Sequence, residues 1–381
     1  MPENNNSAKI QIRRIKQPEK SWRKPVKRIL AVVLVVVVLI VVGVGLYLKS
    51  LTDLVTYGEI PGDPAYENSE YFEYSEYYED PPEVTLSPGN IIVTNPPKRP
   101  NMALPTATPT IDPRVQAARN QQHTALDIAI PSSPKVYNIL LIGSDRRPGE
   151  TTGRSDSLMI LSINHETGKI HLVSLMRGLF VNIPGRGFNL LNAAYSYGGS
   201  KLLRQTLEDN FRVRIDDFIM IDFSGFTRAI DTVGGVDINL TRAESDHLNR
   251  HYGPITVAGS NHLDGRLALA YARIRKIDSD FSRTGRQRTV IQALLNSARQ
   301  KSPGELDAII RTVLPLVRTN VSPQKLLSLG IDLINTRDYP LSQRMLPIKG
   351  SYEVMYHKGR EVVRFDFAAN ITSLHRFLYQ D

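Results

Sequence analysis

Twenty consecutive residues, Ile29 to Leu48, are apolar or glycine apart from Tyr47, about the ~20 residues a helix needs to cross a hydrocarbon core. No other stretch constrains the chain as tightly. Lys24, Lys27 and Arg28 flank its amino end, with Arg13, Arg14, Lys16, Lys20 and Arg23 behind them. The positive-inside bias therefore puts the amino terminus in the cytoplasm and everything after Lys49 outside the cell membrane. A cleaved signal peptide is the competing reading, but the run is longer than an h-region and no A-x-A-like site follows it. The expectation is an uncleaved, single-pass signal anchor.

The charge divides the chain in the same way. Residues 1–28 carry nine Lys/Arg against Glu3 and Glu19, and form a basic cytoplasmic tail. Residues 49–134 carry five basic and twelve acidic side chains. They include the tract from Tyr66 to Glu83, where Tyr71, Tyr74, Tyr77 and Tyr78 interleave with carboxylates, and the proline-rich stretch Pro96 to Pro113. Such a composition buries too little surface to offset chain entropy, so 49–134 reads as an extracytoplasmic linker. Residues 135–381 hold 33 basic against 24 acidic residues and are long enough for one domain with a sizeable core. A basic domain suits an anionic ligand, though charge alone does not separate a phosphate from nucleic acid or a membrane surface. The chain has no cysteine, which excludes disulfides, thiolate metal sites and a cysteine nucleophile.

Within the domain, Val136–Ile142, Leu158–Ile163 and Lys169–Leu175 read as short buried strands. Ser200–Phe211, Gly225–Val233 and Thr284–Arg299 have helical spacing, and Lys325–Ile334 reads as a further helix. Ala268–Ile274 alternates like a strand, and Tyr352–Phe367 reads as a hairpin. Strands and helices mixed in this order predict an α/β (α+β) fold, a central mixed sheet packed by helices.

Four segments concentrate arginine and aspartate: Gly143-Ser-Asp145-Arg146, Gly153-Arg154-Ser-Asp156, Leu175-Met-Arg177, and Tyr271 to Gln287. In the last, Arg273 and Arg275 would share a face if the segment is a strand. Asp280, Arg283, Arg286 and Gln287 follow, with Arg283 and Gln287 one helical turn apart. Asp145 and Asp156, at the rims of neighbouring strands, are enough to share one Mg²⁺, which is commonly held by one or two carboxylates plus substrate phosphates. Arginine offers planar donor forks for phosphate oxygens and keeps its charge, so the set reads as a diphosphate clamp. The bland alternative for each segment alone is a surface ion pair. His247 and His251 stand at i, i+4, but no Glu follows His247 and no third ligand is evident, so they are given no role. No phosphate loop, dinucleotide fingerprint or nucleophile elbow is present.

These motifs resemble the LytR-CpsA-Psr family over about residues 136–375. The resemblance rests on Asn138-Ile-Leu-Leu-Ile-Gly-Ser-Asp145, Arg154-Ser-Asp156, Leu191-Asn-Ala-Ala-Tyr-Ser-Tyr-Gly-Gly199, Val233-Gly-Gly-Val236, Leu263-Asp-Gly265 with Ala268-Leu-Ala-Tyr-Ala-Arg273, and Asp280-Phe-Ser-Arg283 through Arg286-Gln-Arg288. It implies that Asp145 and Asp156 lie by a magnesium ion. It also implies that Arg154, Arg177, Arg273, Arg275, Arg283 and Gln287 surround a polyprenyl-diphosphate head group, with Asp280 orienting Arg283 or its neighbours, and that the lipid tail fills an apolar tunnel between sheet and helices. The implied activity is transfer of a glycopolymer from that carrier to a peptidoglycan hydroxyl, with Asp145, Asp156, Arg177, Arg273 and Asp280 as the catalytic set and Asp156 or Asp280 accepting the hydroxyl proton. Two departures stand out: Met176-Arg177-Gly178 where the family usually has Pro-Arg-Asp, and Leu190 where lysine is common.

Two other classes of function are open at this point. A membrane-bound transcriptional attenuator would need DNA to reach the basic domain, which the predicted topology places outside; anionic lipid is the simpler partner for the tail, and no nucleic acid is expected. A non-catalytic receptor for polyprenyl phosphates or wall polymer would keep the arginines and tolerate Gly178.

Overall fold

The structure, a computed structural model, describes residues 47, 49–50, 53–62, 112–145, 155–275, 277–322, 325, 328–329, 332 and 335–381. The apolar run apart from Tyr47, the tyrosine tract, Arg154 and most of Lys325–Ile334 lie outside these residues. Among the described residues no helix is long and apolar enough to cross a membrane.

In chain order the strands are β1 (Thr56–Tyr57), β2 (Val136–Ser144), β3 (Ser155–Asn164), β4 (Lys169–Leu175), β5 (Phe180–Ile183), β6 (Gly187–Leu190), β7 (Asp217–Asp222), β8 (Val236–Leu240), β9 (Gly259–Leu263), β10 (Val317–Thr319), β11 (Leu341–Leu346), β12 (Tyr352–His357) and β13 (Arg360–Phe365). The helices are α1 (Pro113–Ala125), α2 (Leu191–Phe211), α3 (Phe223–Thr232), α4 (Arg242–Tyr252), α5 (Gly265–Ala272), α6 (Asp280–Arg299), α7 (Pro303–Val313) and α8 (Phe367–Tyr379). Seven strands form one mixed sheet in the order β1-β10-β7-β2-β3-β4-β11. Its β1/β10, β7/β2 and β4/β11 pairs are parallel and the others antiparallel.

The near-continuous apolar runs of β2, β3 and β4 follow from burial on both faces. One face turns Leu140, Ile142, Leu158, Ile160, Val173 and Leu175 into the main core beside Leu203, Leu207 and Phe211 of α2 and Ile371, Leu374 and Leu378 of α8. Phe211 stacks on Phe365 with centroids 5.4 Å apart. The opposite face of β4 and β11 receives α6.

Two findings change the expected organisation. Ala268–Ile274 is not a strand. Asp264 caps a helix by accepting from Leu267 N at 2.8 Å, and the Leu/Ala-rich stretch behind it has strong helix propensity; Leu267, Ala268 and Tyr271 are its buried stripe. Arg273 is therefore the C-cap of α5, and the shared strand face expected for Arg273 and Arg275 does not exist. Secondly, two stretches of 49–134 belong to the fold. Helix α1 buries Val115 and Ala118 against Phe180, Leu190, Met355 and Val362. Residues 53–62 supply edge strand β1 and bury Ile60, 2 % exposed, in the main core, a burial that stabilises by about 1.5–3 kcal/mol. Local composition could not show this, because both stretches draw their stability from distant partners.

Candidate active site

Four main-sheet strands place the site at one rim. Ser144, the last residue of β2, pairs with Asp222 at the end of parallel β7, so Asp145 and Phe223 are the next residues along two adjacent strands. Antiparallel β3 begins at this rim and β4 ends there, with Leu158 opposite Leu175. Gly143 pairs with Ser157 and Ser144 with Ser155, which leaves Asp156 as the extra residue of a bulge. A bulge locally re-aims its side chain, and here it turns Asp156 towards arginines from two other elements.

Those arginines complete a closed ring. Arg177, just past β4, reaches Asp156 Oδ1 at 3.2 Å and Asp280 Oδ1 at 3.5 Å. Arg283, on α6, reaches Asp156 Oδ2 and Asp280 Oδ1, each at 3.5 Å. Arg283 is 4 % and Arg177 12 % exposed, so the pairs are poorly screened compared with surface salt bridges. Arg275 stands beside them: burial, then the nearby Arg283 and Arg177, pull its guanidinium down to about 10 against the opposing pull of Asp156 and Asp280. Three cations thus face two carboxylates. Arg283 Nε is buried without a hydrogen-bond partner among the described residues, a donor a bound anion would satisfy. The amino end of α6, capped by Ser279, adds the positive end of its dipole.

The other expected residues are distributed around this ring. Asp145 is half-buried at the same rim. Arg273 is exposed and lies 4.6 Å over the ring of Phe223, which puts it at the β2/β7 side of the rim, apart from Arg275. Gln287 is half-buried one turn beyond Arg283. Arg154 falls outside the described residues. Mg²⁺ would meet a sparse donor set at this rim. Among the described residues no three His, Asp or Glu side chains cluster as a preformed cage, and both Asp156 oxygens face arginines. Two carboxylates at one rim fit an ion that also takes phosphate oxygens and water from its substrate.

The sequence named Arg286 without a role, and the structure supplies one. It is 4 % exposed, pairs with Glu244 Oε1 at 2.8 Å and with Asp278, and donates to Ile274 O at 3.1 Å. These contacts hold the turn between α5 and α6, which carries Arg275 and ends at Asp280. Glu244 lies 42 residues earlier, in the capping box of α4. The Thr241-x-x-Glu244 pattern signals the cap, but nothing in it signals the arginine.

Below the ring, α6 runs for 20 residues, roughly 30 Å at 1.5 Å per residue. Leu141, Leu161 and Ile219 on the sheet face towards α6, and Ile291 and Leu295 on the helix, are only half-buried and belong to none of the core clusters. An incompletely closed apolar seam thus leads away from a cationic rim.

The LytR_cpsA_psr family matches residues 106–365. A polyisoprenyl-teichoic acid–peptidoglycan teichoic acid transferase, TagU of Oceanobacillus iheyensis, is 41 % identical over 196 residues, 49 % of this chain and 57 % of the relative. Regulatory protein MsrR of Staphylococcus aureus is 31 % identical over 220 residues, 57 % of this chain and 66 % of the relative. The chain therefore spans less than two thirds of the length of either. Among solved structures, B. subtilis TagV is 28 % identical with a TM-score of 0.52 over 66 % of this chain and 100 % of that one. TagT bound to LI-WTA shares the fold, with 23 % identity and a TM-score of 0.55 over 64 % of this chain and 91 % of that one.

Proposed function

The chain belongs to the LytR_cpsA_psr family, and we propose that it moves a glycopolymer from a polyprenyl-diphosphate carrier to a peptidoglycan hydroxyl at the outer face of the cell membrane, releasing polyprenyl phosphate. The observation that carries this reading is the ring of Asp156, Arg177, Asp280 and Arg283 with Arg275 beside it, an excess of buried positive charge at the head of an apolar seam. A ligand anionic at one end and hydrocarbon at the other complements both. The name of the TagU relative, and a TagT structure holding an octaprenyl pyrophosphate lipid, support the same class of carrier.

In this mechanism Arg177, Arg275 and Arg283 take the diphosphate oxygens, exchanging contacts of 3.2–3.5 Å within the ring for closer bonds to phosphate. Arg273, over Phe223 at the β2/β7 side of the rim, is assigned the glycan-side phosphate. The acceptor oxygen bonds to the glycan-side phosphorus, the bond from that phosphorus to the bridging oxygen breaks, and polyprenyl phosphate leaves with the bridging oxygen. Asp156 commits both carboxylate oxygens to arginines whereas Asp280 commits Oδ1; Asp280 Oδ2 is thus assigned the hydroxyl proton. Mg²⁺, when held by Asp145 and Asp156, would neutralise charge on the phosphoryl oxygens. Most of the catalytic work is positioning and preorganised charge.

The test is transfer by the full chain in detergent from a synthetic polyprenyl-diphosphate oligosaccharide to wall glycan, with and without Mg²⁺. Arg283→Ala is expected to lower the rate by about 10²–10³-fold, with polyprenyl phosphate and the glycan–wall product lost together. A receptor without transfer is the second reading, which Gly178 keeps open. Tight binding of the donor with no product from any acceptor would establish that reading instead.

A further inference from the structure

We propose that residues 53–62 are a strap that docks on the catalytic domain and shortens the tether between that domain and Ile29–Leu48. The proposal rests on reading Ile29–Leu48 as the membrane span. Its own evidence is a docking notch built for this strap. Helix α2 is interrupted at Gly198 and Gly199, which are not helical. Gly199 has φ +62°, and a Cβ there would stand 1.6 Å from Ile60 O; a Cβ on Gly62 would stand 2.5 Å from Tyr197 O. Glycine on each side is what permits two backbones to approach so closely.

The notch is also chemically matched. Ser200 N donates to Ile60 O at 3.0 Å, and Ile60 N donates to Ser200 Oγ at 2.8 Å. Ser200 Oγ in turn donates to Glu59 at 2.6 Å, and Arg204 pairs with Glu59 at 2.9 Å. On the other side Thr56 and Tyr57 pair with β10, and Gly58 N donates to Thr319 O at 3.0 Å. A flexible linker has no need of a buried isoleucine, a hydroxyl used twice and an edge-strand register. The Tyr-Gly-Gly199 end of a motif that carries the family resemblance is here the seat of the chain's own amino-terminal segment.

The strap changes how far the domain can stray. From Leu48 to Thr56 the chain spans at most about 30 Å fully extended. If the strap let go, the tether would run from Leu48 to Asp112, with an r.m.s. span of about 45 Å for a flexible chain and a far greater maximum. A donor anchored in the bilayer by its own lipid tail must meet the cationic rim within that reach, so the docked strap raises the encounter frequency without touching the substrate.

Because the chain has no cysteine, a dye on Thr312→Cys, exposed on α7, reports the distance to acceptor lipids in vesicles holding the full chain. Ile60→Ser with Glu59→Ala releases the strap from its own side and leaves the notch intact; Gly199→Ala blocks it from the other, and near-ultraviolet circular dichroism checks that each domain stays folded. A Thr56→Cys/Arg318→Cys pair, between residues opposite each other in the register, locks it. Energy transfer should fall about twofold in the released variants, as the longer tether requires, and stay at the parent level in the locked one. Equal transfer in folded released and parent proteins, with all of them resisting carbonate extraction, overturns the strap alone. If carbonate strips the parent from the vesicles, the span and the strap fall together.

Discussion

Arg286→Met should cost more stability than any substitution within the ring, although Arg286 touches no proposed substrate group. Its Glu244 partner is 10 % exposed, and a buried carboxylate left without its cation costs about 3–5 kcal/mol. Asp278 is 33 % exposed and regains water, so it adds little. At about 2–4 °C per kcal/mol for a domain of this size, the melting temperature should fall by roughly 6–20 °C. Glu244→Gln keeps an oxygen for Thr241 N, which Glu244 now bonds at 2.9 Å, and removes the stranded charge. The double variant Arg286→Met/Glu244→Gln should therefore recover about 2 kcal/mol relative to additivity. Urea denaturation of the four proteins of this cycle gives the coupling directly. Transfer measured where every variant is folded should still fall about 10²-fold in both proteins lacking Arg286, because Ile274, Arg275 and Asp280 lose their anchor. An Arg286→Met protein within about 1 kcal/mol of the parent, or with parental transfer rate, would refute the reasoning.

Arg283→Lys keeps a charge but loses the fork that spans Asp156 and Asp280; donor affinity measured by calorimetry should drop by about tenfold or more while folding is retained. His171 is buried against Phe377 at 4.6 Å with neither ring nitrogen hydrogen-bonded among the described residues, and burial, with smaller contributions from Lys169 and Arg344, pulls its pKa from 6.5 to about 4. The unfolded chain thus binds the extra proton first, so this contribution to stability is intact above pH 6.5 and is lost as pH falls towards 4. Urea titrations across that window should show a slope that His171→Phe flattens. Among the described residues a Cβ on Gly178 would meet only Val363 Cγ2, at 3.8 Å, and its backbone is not among the positive-φ positions. Gly178→Asp should keep stability within about 0.5 kcal/mol, and any change in transfer rate would then report carboxylate chemistry; a loss above about 2 kcal/mol would show that the space is not there.

What the sequence could and could not show divides along the range of the forces involved. Strands β2 to β4 were legible because their apolar runs are local and buried on both faces. The α5 segment reads as a strand because Leu-Ala-Leu-Ala alternates in size as a strand does in polarity, while the deciding signal is Asp264 four residues earlier. Asp156, Arg177, Arg275, Asp280 and Arg283 were named together, and the structure gathers them. Their grouping required no knowledge of the bulge, only that so many charges in so few segments have better uses than solvent. Arg286 and the strap stayed hidden for one reason: Glu244 is 42 residues from Arg286 and Ser200 is 140 from Ile60, and no local pattern encodes such pairs.

The ring explains why a site with so much buried charge can exist before any ligand arrives. Three guanidiniums alone would repel one another and resist desolvation. Asp156 and Asp280 each bridge Arg177 and Arg283, so each of those two arginines sees two carboxylates at 3.2–3.5 Å, and the same two carboxylates partly offset the charge of Arg275 beside them. The contacts are longer than the 2.7–2.9 Å of a tight charge-assisted bond, which leaves the forks available to a better acceptor. A diphosphate entering with its tail along the α6 seam would trade these long contacts for short ones and satisfy Arg283 Nε. The two aspartates thus serve the resting protein as place-holders, and substituting either by alanine should impair folding and transfer through separate causes, one through unbalanced arginines and the other through the lost acceptor.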